Sequence, residues 1–271
     1  MRSAASERAP GREPSIALRD ALDRPDIGAE CHALAARIYP IGRSIAGPAL
    51  RHTLAVLRGY APLTTVEVPT GTQVLDWTVP REWELCDAYV KSSDGRRVID
   101  VRDSTLSVVS YSIPVRARMS LAELRPHLHT HASQPDLIPY RTTYYRESWG
   151  FCLPQRVLSS LPEDTYEVVI DSTIKDGSMT LGEYVHAGEC EDEVLFHAHT
   201  CHPSLASETC AGLAVLTLLA QALSRVRTRL SYRFVFAPAT IGGIAWLALN
   251  EQRVHHIKHG LVVACFGDAA G

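Results

Sequence analysis

The second half of the chain constrains the fold most, because strand-like and helix-like stretches alternate there. Short β-branched and aromatic runs at 166–171, 182–187 and 193–199 precede an apolar helical stretch at about 209–223. A strand at 232–237, a helix at about 241–251 and a strand at 261–266 complete the series. The final β, α, β, α, β order predicts a mainly parallel core with helices packed on it, since parallel neighbours need a crossover between them. Ligands of such sheets bind beyond the carboxyl ends of the strands. The loops after His199, Ala237 and Phe266 are therefore the ones to inspect.

The first half has a different texture. Residues 1–15 carry Arg, Glu, Ser and Pro without an apolar run and are expected to be a disordered tail. Residues 16–39 show helical spacing and end at Pro40, and a second helix is expected from Pro48 to Gly59, with Leu50, Leu54 and Leu57 on one face. From about 66 to 149 the pattern is of short strands, at 88–90, 98–101 and 106–113, separated by turn signals such as Ser93-Asp94-Gly95. The helical segment before this region is too short to bury itself. The expected organisation is a discontinuous α/β domain over 16–65 and 150–271, with a β-rich module over 66–149 inserted into it.

Composition excludes several classes. Apolar residues make up 46% of the 271, enough for a core, while the formal net charge is only -3. No single-sign field is available for a nucleic acid or an anionic membrane, so neither is expected as a partner. No signal-peptide core is visible, and the densest apolar run, 213–220, is interrupted by Thr217. The seven cysteines are scattered, odd in number and never in a C-x-x-C pair, which points to free thiols in a reducing, cytoplasmic setting. Homo-oligomerisation stays open.

The loop 199–212 reads His-Thr-Cys-His-Pro-Ser-Leu-Ala-Ser-Glu-Thr-Cys-Ala-Gly. Two imidazoles and a carboxylate at a strand end, just before a buried helix, have the form of a metal site, since zinc takes His nitrogen and carboxylate oxygen. His202 and Glu208 are the leading local candidates, with His199 as a further one. The alternative is that Ser207 or Thr209 merely caps the helix that follows. His197 shares a strand face with His199 and is better explained as a core histidine.

The loop 199–204, together with Pro-Ala-Thr-Ile-Gly-Gly-Ile-Ala-Trp-Leu at 238–247, resembles the aminopeptidase-like zinc hydrolases encoded in polysaccharide and natural-product gene clusters. The resemblance extends to Tyr-Pro-Ile-Gly-Arg-Ser-Ile-Ala-Gly at 39–47, Asp-Trp-Thr-Val-Pro-Arg-Glu-Trp at 76–83 and Tyr-Tyr-Arg-Glu-Ser-Trp-Gly-Phe-Cys at 144–152. It covers about residues 29–268. It implies a zinc-exopeptidase-like α/β fold interrupted by a small β domain, and zinc as the cofactor. A peptide, an aminoacyl group or an N-acyl sugar is the substrate class it implies.

Residue by residue, His202 matches the family's metal-binding histidine. The family's Asn-Asp-Asn, whose Asp contacts the metal, is Ser207-Glu208-Thr209 here, one methylene longer at the carboxylate. Where conventional members carry Glu after the Pro of the next loop, this chain has Ala239, so the general base on metal-bound water has no counterpart. The remaining family ligands, an acidic residue and a His, lie beyond Gly271. The C-terminal part of the fold is thus expected to be missing from this sequence, leaving Asp268 as a further ligand candidate. Two expectations follow: a metal-dependent hydrolase of amide bonds, or a catalytically silent or truncated relative that keeps the fold and its groove.

Four other features invite attention. His127, His129 and His131 alternate, but no carboxylate or Cys lies beside them, so lining the groove between the two parts suits them better than binding metal. The Arg, Tyr and Trp of 141–149 suit a carboxylate or a sugar ring, or equally an aromatic interdomain hinge. Asp76-Trp77 and Glu82-Trp83 are expected as structural corners, and 225–229 as the solvated end of a helix.

Overall fold

A computed structural model describes residues 18–265 and Gly267. The first helices are α1 (Leu18–Leu22), α2 (Ile27–Ile38) and α3 (Pro48–Arg58). The single helix expected over 16–39 is interrupted at 23–26, where Pro25 lacks an amide proton and holds its predecessor away from helical angles. α3 has Pro48 in its first turn and buries Leu50, Leu54 and Leu57. Strands β1 (Thr64–Pro69), β2 (Gln73–Val74), β3 (Trp77–Thr78), β4 (Glu82–Lys91), β5 (Arg97–Asp100) and β6 (Val115–Ser120) follow. Next come α4 (Leu121–Leu124), β7 (Leu128–His129), β8 (Phe151–Cys152), α5 (Gln155–Ser160), β9 (Thr165–Lys175) and β10 (Ser178–His186). The chain continues through β11 (Glu193–His199), α6 (Ala211–Leu223), β12 (Ser231–Ala237), α7 (Ile241–Leu249) and β13 (Ile257–Val262).

Five strands form a mixed sheet in the order β1-β10-β12-β11-β13. β11 runs parallel to both β12 and β13, the core that the strand–helix alternation predicts. β10 is antiparallel to β1 and β12, so parallel pairs do not predominate as expected. The cause is the short connection 187–192, which reverses the chain between β10 and β11; β12, carried over by α6 to lie parallel to β11, then enters between them.

A second, antiparallel sheet has the order β5-β4-β9-β6. Strand pairing does not follow the boundaries expected at 66 and 149. β9, placed by its sequence position in the α/β part, pairs with β4 and β6, while β1 belongs to the five-stranded sheet. The strand expected at 106–113 is instead a 3₁₀ turn at Thr105–Ser107 followed by isolated bridges at Val108 and Ser110. One buried cluster runs from Ala88, Val90 and Val168 of the second sheet to Val235, Ala237 and Trp246 beside the first. The other packs Leu34, Leu54, Leu213 and Leu216 against Phe234 and Phe236. The window Ala206–Leu223 is apolar enough to cross a membrane by length and composition, yet 61% of it is buried inside the fold, and packing accounts for its character.

Candidate functional site

β11 delivers His199 at its carboxyl end, and the chain then loops over residues 200–205 before re-entering a helix. The entry is a π-helical turn, Ala206–Cys210, in which the Thr209 and Cys210 amides both donate to the Leu205 carbonyl at 3.1 and 3.2 Å. Such widened turns collect at functional sites. Ser204 sits at φ 46°, and Thr240, opening α7 in the neighbouring loop, at φ 54°. Non-glycine residues adopt such angles only where their surroundings hold them. For Ser204 those surroundings are the Thr105 hydroxyl at 2.5 Å and the Tyr39 carbonyl at 3.2 Å. Arg43, fully buried, donates to the Ile38 carbonyl at 2.6 Å and to Cys210 Sγ at 3.2 Å, tying the π-turn to the end of α2.

The π-turn brings Glu208 back to the strand end. His202 Nδ1 donates to Glu208 Oε2 at 2.6 Å and His199 Nδ1 to Oε1 at 3.1 Å. The Thr209 hydroxyl donates to Oε2 as well. Each of the three side chains is about one-fifth exposed, at 20–23%. Burial works to raise the Glu208 carboxyl, but its bonds from His199, His202 and Thr209 outweigh this and hold it well below the usual carboxylate range. Burial likewise works to lower His202, and hydrogen bonds with Cys201 and Glu208 overcome it and raise the imidazole to about 10. At neutral pH the pair is an imidazolium and a carboxylate. The Tyr140 ring meets His202 edge-on at 4.9 Å, and its hydroxyl bonds that of Tyr144 at 2.7 Å.

His197 lies apart from this cluster in role. Its Nδ1 donates to the Val235 carbonyl at 3.1 Å, and burial, with His199 nearby, lowers it to about 4, so it is a neutral core histidine. In the adjacent loop the Ala239 amide donates to Cys201 Sγ at 3.2 Å, so position 239 is close to the cluster but brings no carboxylate. Asp268 lies outside the described residues. His127 stacks on Trp149 at 3.6 Å and bonds its carbonyl at 3.2 Å, while His131 bonds Ser133, so their partners are local.

Zinc requires neutral imidazole nitrogens and free carboxylate oxygens. The donor types are right here, but both Nδ1 atoms are taken by Glu208. Among the described residues no group of three or more His, Cys, Asp and Glu is disposed to hold a metal ion. As arranged, the residues do not fit zinc. The spacing in sequence indicated that His199, His202 and Glu208 would meet. Tyr140 and Thr105 carried no signal, and Arg43, though part of the 39–47 motif, gave no sign of meeting Cys210, because all three reach the loop from distant segments.

A family profile described as "Domain of unknown function (DUF4910)" matches residues 32–271. A protein of Clostridium acetobutylicum, provisionally named a polysaccharide biosynthesis protein with aminopeptidase-like domain, is 50% identical over 244 residues, which are 90% of this chain and 56% of that protein. The chain thus spans little more than half the length of this relative. The crystal structure of a provisionally named peptidase from the same organism superposes with TM-score 0.89 at 48% identity, covering 93% of this chain and 59% of that one. A zinc aminopeptidase of Bacillus subtilis superposes with TM-score 0.56 at 11% identity, over 88% of this chain and 68% of that one, a likeness of fold alone.

Proposed function

The chain belongs to the DUF4910 family and has an aminopeptidase-like fold, and on that premise we propose that it binds an amide-containing compound at the His199–Glu208–His202 cluster without hydrolysing it efficiently. The observation that carries this reading is Glu208: the carboxylate at the strand end is occupied by two imidazoles and a hydroxyl, and no acid stands at 239 beside it. A base that must accept a proton from water needs a pKa near the working pH. Glu208 lies far below it. The charged His202 is instead suited to donate a hydrogen bond to a ligand carbonyl or carboxylate. A peptide, an aminoacyl group or an N-acyl sugar of surface-polysaccharide or secondary-metabolite metabolism, in the cytoplasm, is the ligand class in this proposal.

One observation favours a second reading, metal-dependent hydrolysis of the same amide. Two imidazoles and a carboxylate at the carboxyl end of a parallel strand are the donor set for zinc once His202 loses its proton. Metal content per chain after dialysis against a weak chelator separates the two, measured beside His202→Ala and Glu208→Ala. Substoichiometric zinc, with no turnover of aminoacyl or N-acetyl amides, is expected. Near-stoichiometric zinc lost in both variants, together with amide hydrolysis, would establish the hydrolase.

A further inference from the structure

A cavity of about 310 Å³ opens beside the 144–147 segment, between the β2–β3 turn and the second sheet, and neither reading of the cluster uses it. Its volume lies at the lower end of the roughly 300–1,000 Å³ typical of small-molecule sites. Tyr145 forms part of its wall with its ring 56% exposed, and its hydroxyl is bound to the Thr78 carbonyl at 2.8 Å. That bond fixes the ring and leaves its face, rather than its polar tip, to a ligand. Trp77, 38% exposed, packs on Tyr145 at 6.1 Å and a 46° tilt and supports that ring from outside the cavity lining.

Two guanidinium groups border the same cavity. Arg81 has only a loose partner, Glu147 at 3.7 Å, and both side chains are well exposed. Arg146 has no ion-pair partner among the described residues. An aromatic face beside a free guanidinium is complementary to a ring with an apolar face and an acidic substituent, since Arg grips carboxylates in bidentate fashion. Thr70, Thr78 and Thr143 add hydroxyls at the walls. We propose that this cavity binds a pyranose sugar carrying a carboxylate, with Tyr145 against the ring and Arg146 and Arg81 on the acid.

Tyr144 lines the cavity, and its hydroxyl bonds Tyr140, whose ring touches His202, so the sugar site and the cluster are neighbours through two tyrosines. Only the direction in which a longer ligand would extend rests on the reading of the cluster. Binding of the sugar itself does not.

The test is calorimetric titration of the purified chain with glucuronate, glucose and acetate. Glucuronate is expected to bind on the order of tenfold or more tighter than either alternative. Tyr145→Ala and Arg146→Ala should each weaken glucuronate by about tenfold, and Arg146→Ala should leave glucose unchanged. Both side chains are exposed, and an unchanged melting temperature would show the variants folded. Glu147→Gln should tighten glucuronate by freeing Arg81. Equal affinity for glucose and glucuronate, acetate matching glucuronate, or no effect of the two Ala variants would each overturn the proposal. Glu208→Ala should bind glucuronate as the wild type does, which keeps failure here distinct from failure at the cluster.

Discussion

The two ends of β11 carry the two ionic clusters of the five-stranded sheet, and they are built for opposite purposes. At the amino end Glu193 receives Arg233 through Nε and Nη2, both at 2.6 Å, with each side chain only 4% exposed. Arg233 also reaches Glu183 at 2.8 Å, and the Trp246 indole bonds that carboxylate at 2.9 Å. At the carboxyl end Glu208 receives two imidazoles and stays about one-fifth open to water. A guanidinium cannot release its proton, so the Arg233 cluster is fixed; an imidazolium can, so the His202 cluster is switchable and reachable by a ligand. Burial and choice of base, rather than the presence of a carboxylate, separate structure from site.

Substituting the fixed cluster should have the largest effect. Arg233→Met leaves Glu193 with only the exposed Arg253 at 3.3 Å and Glu183 with only the Trp246 indole, and should destabilise the fold by roughly 3–5 kcal/mol in urea unfolding. A loss below about 1 kcal/mol would erase the distinction between the two ends. Next comes Glu208→Gln, which should cost about 2 kcal/mol where both charges are present, and its cost should depend on pH. His202 is raised from its ordinary 6.5 to about 10, so its contribution is complete below about pH 6.5 and fades as pH rises towards 10. Glu208 is depressed from its ordinary 4.5, so its contribution is present above about 4.5 and is lost on acidification. The gap in melting temperature between wild type and Glu208→Gln should therefore be widest between about pH 4.5 and 6.5. A gap independent of pH would remove the ion pair from the explanation.

Ala239→Glu adds an acid beside Cys201 and should cost no more than about 1 kcal/mol in urea unfolding, since the position is only partly buried. A loss well above that would show the side chain at 239 turned into the core instead of towards the cluster. Smallest is Glu147→Gln, which breaks an exposed pair at 3.7 Å and should move stability by less than about 0.5 kcal/mol. It sets the baseline against which both ends of β11 are judged.

Much of this was legible residue by residue. The span of β11, the Pro48 start of α3, the parallel partners of β11 and the nearness of His199, His202 and Glu208 follow from local spacing, whereas the last strand lies at Ile257–Val262, four residues ahead of the 261–266 expected. β9 was not legible in the same way. Its alternation is compatible with either sheet, and only its long pairing with β4, from Lys91↔Glu167 to Glu82↔Lys175, assigns it to the second. The break at Pro25 was written in the sequence, but helical spacing on both sides of it concealed the interruption.

The sequence by itself determined the family, the α/β class, the strand end where two imidazoles and a carboxylate meet and the absence of an acid at 239. Those are matters of residue identity and of periods two to four residues long, which a linear chain states directly. The tertiary structure decided which sheet each strand joined and that Tyr140 and Arg43 reach the loop. Those depend on contacts between segments distant in sequence, as in Arg43 with Cys210 across 167 positions, and such contacts form only when the shared core closes.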